Sequence, residues 1–182
     1  SIDQLKRIKS YYNDNYIPVF RAMANQFHEI GNYDSSIESY KTCLRIDPSN
    51  ASTYYLQIAD GYMHKNQYEA AIIYATSALD SGVNVNSYAY LMRGIYYSHQ
   101  GDYENAVTDF SEHLIQCTSD WEAYQYRASA NIKLGLFRNA EVDLTNAIDL
   151  HPHNYRLHAL RGEVRERLQE CGPTLHDYIT AL

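Results

Sequence analysis

The sequence predicts an all-α solenoid of stacked helical hairpins, on three observations. Short turns of one type recur: Gly31-Asn32-Tyr33, Asn66-Gln67-Tyr68, Gly101-Asp102-Tyr103 and Gly135-Leu136-Phe137, at spacings of 35, 35 and 34 residues. Seven residues before each turn stands a small residue, Ala24, Ala59, Gly94 or Ala128, and Gly162 follows 34 further on. Four residues before each small residue stands an aromatic, Phe20, Tyr55, Tyr90 or Tyr124, with His158 in the fifth place. Self-similarity at a fixed period of this length marks stacked copies of one supersecondary unit.

Each copy reads as two amphipathic helices, because apolar and small residues return at three- and four-residue steps, the period of one buried helical face. First helices are expected over 17–30, 52–65, 87–100, 121–134 and 155–168. Second helices are expected over 33–46, 68–81, 103–116 and 137–150, with a truncated 173–182. The repeats are then 17–51, 52–86, 87–120, 121–154 and a truncated 155–182, and residues 1–16 form an N-terminal helix that could close a preceding repeat, with Ile2, Leu5 and Ile8 at three-residue steps. Gly or Asn after a first helix supplies the left-handed conformation that ends it. Pro48 and Pro152 follow second helices, where proline prevents continuation, and Pro173 suits a first turn, where its missing N–H has no partner to lose. The small residues let paired helices approach closely. Ala71, Ala106 and Ala140, then Ala78, Ala147 and Ala181, form the matching set on the second helices.

Composition bounds the function. The 182 residues carry 15 Lys+Arg against 22 Asp+Glu, a net charge of −7, and nucleic-acid or anionic-membrane binding needs clustered cations. No apolar run approaches the ~20 residues that span a bilayer. Cys43, Cys117 and Cys171 have no metal-like spacing, and an odd number cannot all pair internally. Reduced thiols, and hence a cytoplasmic location, are expected. The chain starts at Ser1 and stops inside an apolar-periodic segment, Ile179 to Leu182, so a fragment of a longer protein is expected.

The order aromatic, small, aromatic, Gly-x-Tyr, Ala, aromatic at a 34-residue period resembles the tetratricopeptide repeat. The third repeat shows it best, with Tyr90, Gly94, Tyr97, Gly101, Tyr103, Ala106 and Phe110. The resemblance covers 17–182 and implies a right-handed superhelical solenoid that binds another protein or peptide and has no catalytic residues of its own. Two departures stand out: Gln169–Cys171 replaces the fifth turn, and His113 occupies a place the family gives to Ala. Some members hold acidic chaperone tails with a Lys/Asn/Arg carboxylate clamp. Arg21 and Asn25 suit its first two places, but Gln57, Tyr88 and Met92 stand where Asn, Lys and Arg are needed. Starting at the third repeat gives Leu91 and Ile95 instead of Lys and Asn. Without those cations the charge-assisted bonds are lost, so binding of that type is not expected.

The repeats can also be compared with one another. Arg93, Arg127 and Arg161 each precede the small residue, and Asp109, Asp143 and Asp177 stand sixteen residues later. The first two repeats have Met23 with Ser39 and Ile58 with Tyr74, so both partners are present or neither is. An Arg–Asp ion pair repeated along one seam between first and second helices follows, unless the pair was simply copied with a recent duplication.

First helices of a solenoid line its concave wall. The partner-binding residues expected there are Arg21, Asn25, Leu56, Asp60, Met63, Tyr88, Leu91, Met92, Ile95, Tyr126, Ser129 and Lys133. The middle of this set is apolar and predicts a groove for an apolar segment of another protein, extended or helical. The competing reading is that these residues belong to the core. Two other functions stay open: a recognition arm of a larger enzyme or transcriptional regulator, and a self-associating structural module forming homo-oligomers.

Motifs for chemistry are missing. His28-Glu29 begins like a zinc-protease helix, but Asn32 stands where the second His is required. None of the eight glycines makes a phosphate-cradling loop. His64 and His99, 35 apart, read as repeated groove histidines, and His151-Pro152-His153 as a turn. No metal, cofactor or catalytic residue is therefore expected.

Overall fold

A computed structural model describes residues 17–81, 87–169 and 171–180. Among them are ten α-helices and no strand. In chain order these are α1 (Ile17–Glu29), α2 (Tyr33–Ile46), α3 (Ala51–His64), α4 (Tyr68–Asp80), α5 (Ser87–Gln100), α6 (Tyr103–Gln116), α7 (Trp121–Lys133), α8 (Phe137–Leu150), α9 (Tyr155–Arg167) and α10 (Cys171–Thr180). Their bounds lie within two residues of the expected ones. The last helix begins at Cys171 rather than at Pro173. The leading segment with Ile2, Leu5 and Ile8, and Ala181, lie outside the described residues.

The recurring turns close each first helix in one way. The residue just past the left-handed position donates its N–H to a carbonyl five residues back: Asn32 to Phe27 (2.8 Å), Gln67 to Tyr62 (3.0 Å), Asp102 to Tyr97 (2.9 Å) and Leu136 to Asn131 (2.8 Å). This is the Schellman arrangement, and it requires positive φ at the residue in between. Gly31, Gly101 and Gly135 supply it at +78°, +92° and +75°, and Asn66 at +57°. The fifth turn uses Gln169 at +62°, the departure from the repeat pattern noted above. Asn32 and Asp102 then cap the next helix, accepting from Ser35 and Asn105 backbone N–H groups.

The chain divides into two units, Ser1–Tyr96 and Tyr97–Leu182. In the first, α1 to α4 and α5 as far as Tyr96 enclose two core clusters. One joins Phe20, Ala24, Ile37, Tyr40, Cys43, Tyr54 and Ile58. The other joins Leu56, Ala59, Ala71, Ala75, Ala78, Ala89 and Tyr96. In the second unit, Ala128, Ala140, Leu144, Ala147, Ile148, Leu157 and Val164 form the cluster on which Trp121, Tyr124 and Phe137 pack. The small residues are fully enclosed: Ala24, Ala59, Ala128 and Ala140 have no exposed surface. At Gly162 a Cβ would stand 2.7 Å from the Tyr178 ring, so α9 and α10 are as close as that glycine permits. Among the described residues no helix is long and apolar enough to cross a membrane.

Candidate functional site

Two residues of the expected apolar groove are taken up by the packing. Leu56 and Leu91 are buried, each only 8% exposed. Leu56 is part of the second core cluster, and Met63, Met92 and Ile95 pack against that cluster. Leu56 and Leu91 are therefore core, while Met63, Met92 and Ile95 are half-buried against it and keep part of their surface. The physical reason is that a first helix in a stack packs both on its own second helix and on the second helix of the preceding hairpin. Its apolar face is therefore wider than a single stripe.

The remaining groove residues are accessible. In the first unit Arg21 and Asn25 are exposed and Asp60 is half-buried. The buried Tyr40 hydroxyl reaches Asn25 Oδ1, and lies 3.3 Å from Gln57 Oε1, so it holds two surface amides in place. Burial pushes that phenol up to about 12. Tyr88 on α5 is exposed. In the second unit Tyr126, Ser129 and Lys133 project from one face of α7 and all are exposed. Tyr126 stacks on Phe110 with centroids 5.8 Å apart, which fixes its ring. With His99 and Tyr103 these three side chains line a recess of about 220 Å³. Lys133 also borders a second recess of about 420 Å³, where Phe137 and Val164 meet Glu163 and Arg167.

The arginine–aspartate pairs take a definite geometry in the second unit. Arg127 forks onto Asp143, with Nη2 to Oδ1 at 2.6 Å and Nε to Oδ2 at 3.0 Å. Arg161 does the same to Asp177, at 2.7 and 3.2 Å. Each guanidinium has a further partner on the preceding second helix: Arg127 Nη1 donates to Ser111 Oγ at 3.0 Å and Arg161 Nη1 to Thr145 Oγ1 at 3.3 Å. In the first unit Arg93 Nη1 donates to Thr76 Oγ1 at 3.1 Å. Asp109, in the second unit, is buried. Thr76, Ser111 and Thr145 stand 35 and 34 residues apart, a hydroxyl column that spacing alone could have revealed. One turn past the arginine, Asn131 Nδ2 donates to Asp143 at 3.2 Å and Arg165 Nη1 to Asp177 at 2.8 Å. Arg165 also donates to Glu141 at 2.7 Å. Asn131 and Arg165 stand three residues after the small residue, where the first three repeats carry Phe27, Tyr62 and Tyr97, and both polar residues serve the buried carboxylate. His113, the other departure from the pattern, is buried with Nε2 2.9 Å from Asp120 Oδ2, and Asp120 caps α7.

A cluster in the first unit escaped the sequence reading. His28, at the end of α1, and Asp60 and His64, one turn apart on α3, bring one donor atom each to within 4.8 Å of the others. His28 Nε2 lies 2.8 Å and His64 Nε2 3.7 Å from Asp60 Oδ2. Tyr33, the first residue of α2, stacks on His64 at 4.9 Å and meets His28 edge-on at 5.3 Å.

A family model described as "Tetratricopeptide repeat" matches residues 56–120, and another described as "TPR repeat" matches 24–56. The chain belongs to the tetratricopeptide-repeat family. Its repeats make it a protein–protein interaction scaffold. No curated protein matches the chain in sequence. Among solved structures, MamA from Desulfovibrio magneticus RS-1 is similar at 14% identity over 91% of this chain and 92% of its own, with a TM-score of 0.82. The C-terminal part of a TPR repeat-containing protein from Cytophaga hutchinsonii is similar at 16% identity over 99% and 71%, with a TM-score of 0.84. YrrB, titled a TPR protein with an unusual peptide-binding site, is similar at 16% identity over 100% and 92%, with a TM-score of 0.79. At these identities the likeness is one of fold.

Proposed function

We propose that this tetratricopeptide scaffold is non-enzymatic and holds a segment of a partner protein on the exposed faces of its first helices. Tyr126, Ser129 and Lys133 on α7 are the anchor in this reading, and Arg21, Asn25 and Asp60 give the first unit a polar contact face. The observation that carries it is the recess beside Tyr126. A large ring, held by Phe110 and 42% exposed, stands next to a hydroxyl and a cation on a rigid helix. Tyrosines of this kind dominate binding energy because they bring much area with few rotatable bonds. The partner segment would place an apolar side chain on Tyr126 and a carboxylate or backbone carbonyl on Lys133. The likeness to YrrB, with its peptide-binding site, supports a peptide as the guest. The odd number of cysteines, at spacings without a metal pattern, fits a reducing, cytoplasmic setting.

Selection of displayed peptides on the intact chain, followed by anisotropy titration, tests the proposal. Tyr126→Ala should weaken the selected peptides by roughly 30-fold, the equivalent of a ~2 kcal/mol hot spot. Lys133→Glu should weaken them further at low salt than at high salt. Selected peptides that bind Tyr126→Ala and Lys133→Glu as tightly as the parent would refute it.

A further inference from the structure

We propose that His28, Asp60 and His64 form a binding site for a divalent cation of the zinc type. Three features of the first unit point there.

The donor set is the first. Two imidazole nitrogens and one carboxylate oxygen suit borderline cations, and the same composition with a fourth place left to water is a known way of holding Zn²⁺. The Asp60 carboxylate supplies the negative charge, and both histidines offer the same nitrogen, Nε2, toward it.

The second is the spacing. Bonds of about 2.0–2.2 Å in a tetrahedron place donor atoms roughly 3.3 Å apart. The two nitrogen–oxygen separations, 2.8 and 3.7 Å, lie on either side of that value. The nitrogens and the oxygen all fall within 4.8 Å of one another. His64 is exposed, so turning its side chain brings the third donor into place without disturbing the core.

The third is that His28 Nε2 is enclosed yet has no aligned hydrogen-bond partner. Asp60 Oδ2 lies 2.8 Å away, but out of line for an N–H donated by the ring. The close pair is thus not satisfied as a hydrogen bond, which leaves both atoms open to a shared ion. Tyr33 backs both rings: it stacks within 4° of parallel on His64 and stands at 71° to His28, a wall along which the His64 ring can slide toward the other two donors.

The test uses the intact, tag-free chain stripped of metal. Zn²⁺ is titrated in competition with a chromophoric chelator, and Co²⁺ is titrated to read coordination from its absorption. One equivalent should bind, with the intense visible bands of four-coordinate cobalt. His64→Ala and Asp60→Asn should each weaken that equivalent by more than about 100-fold, beyond the ~10–100-fold typical of losing an outer partner, and Tyr33→Leu should fall within that lower range. His153→Ala, in a turn of the second unit, should bind as the parent does. Because His64 is exposed, His64→Ala keeps its helical circular dichroism even if His28→Ala does not. Absence of saturable binding, or binding that His64→Ala and Asp60→Asn leave unchanged, overturns the proposal.

Discussion

Arg127→Met should destabilise the protein far more than removing its partner does. The asymmetry comes from burial: the Asp143 side chain is 3% exposed and that of Arg127 22%. Loss of the guanidinium leaves a buried carboxylate with Asn131 Nδ2 at 3.2 Å. Breaking a buried pair on one side costs about 3–5 kcal/mol, because the remaining charge has no countercharge and little water, and one amide donor does not replace the guanidinium. Asp143→Leu leaves Arg127 with its bond to Ser111, its place 5.7 Å over the Tyr124 ring, and access to water. Its cost is about 1–3 kcal/mol, that of a lost charged hydrogen bond. In the double variant Arg127→Met/Asp143→Leu no charge is stranded, so it should be more stable than Arg127→Met alone, with a coupling of about 2 kcal/mol. The same logic predicts a milder result at the next pair. Arg161→Met leaves Asp177 with Arg165 at 2.8 Å, so it should cost about 1–2 kcal/mol less than Arg127→Met. Urea unfolding of the four proteins of the cycle, read by far-ultraviolet circular dichroism, measures these differences. Single costs that add to the double within ~0.5 kcal/mol would show that the pair is not a unit and would refute the reasoning.

Three further outcomes follow. Gly162→Ala should cost about 1–3 kcal/mol in the same urea assay, because the new methyl meets the Tyr178 ring at 2.7 Å and a ring edge cannot give way as a flexible chain can. Gln169→Gly should raise stability by about 0.5–1 kcal/mol, since positive φ strains a side chain and the relief exceeds the added freedom of the unfolded chain; an unchanged midpoint would contradict it. Burial pushes the Cys43 thiol up to about 11 from an ordinary 9.0, so the folded state keeps a proton that the unfolded chain releases. That contribution is complete below pH 9 and is lost as pH rises through 11. Urea midpoints should therefore fall over this window, and less steeply in Cys43→Ala.

The helices were legible because their signals are redundant. A small residue, an aromatic and a left-handed turn residue agree within each of the first four repeats, and in the fifth Gln169 could take the place of a glycine without moving the end of α9. The rotation of the first helices was not legible to the same degree. Leu56 and Leu91 fall between the aromatic positions, where the pattern of a lone hairpin does not call for burial, and it is the stacked packing of the first unit that encloses them. The histidine cluster was invisible for another reason. His28 stands four residues past its repeat's small residue, His64 five past its own and Asp60 one past it. A search at the repeat period compares like with like, whereas this site is made of unlike positions from neighbouring repeats.

The seam between first and second helices is filled with different chemistry in the two units, and the difference bears on register. In the first unit Met23 is buried and Ile58 sits in the core with Tyr74 against it. Such contacts are non-directional and tolerate small shifts. In the second unit a fork closes on Asp143 or Asp177 while its other arm reaches a hydroxyl on the preceding hairpin. A slip of one helical turn at either place would leave a carboxylate buried and unpaired. Buried ion pairs add little net stability over apolar residues of similar volume, so their effect is to penalise the wrong arrangement. Ser111 and Thr145 extend that penalty to the hairpin before. The ionic seam therefore selects both how a hairpin closes and which neighbour it stacks upon, whereas the apolar seam selects neither. Replacing Arg127 and Asp143 together should accordingly broaden amide chemical-shift dispersion changes across α6 to α8 more than it lowers the urea midpoint.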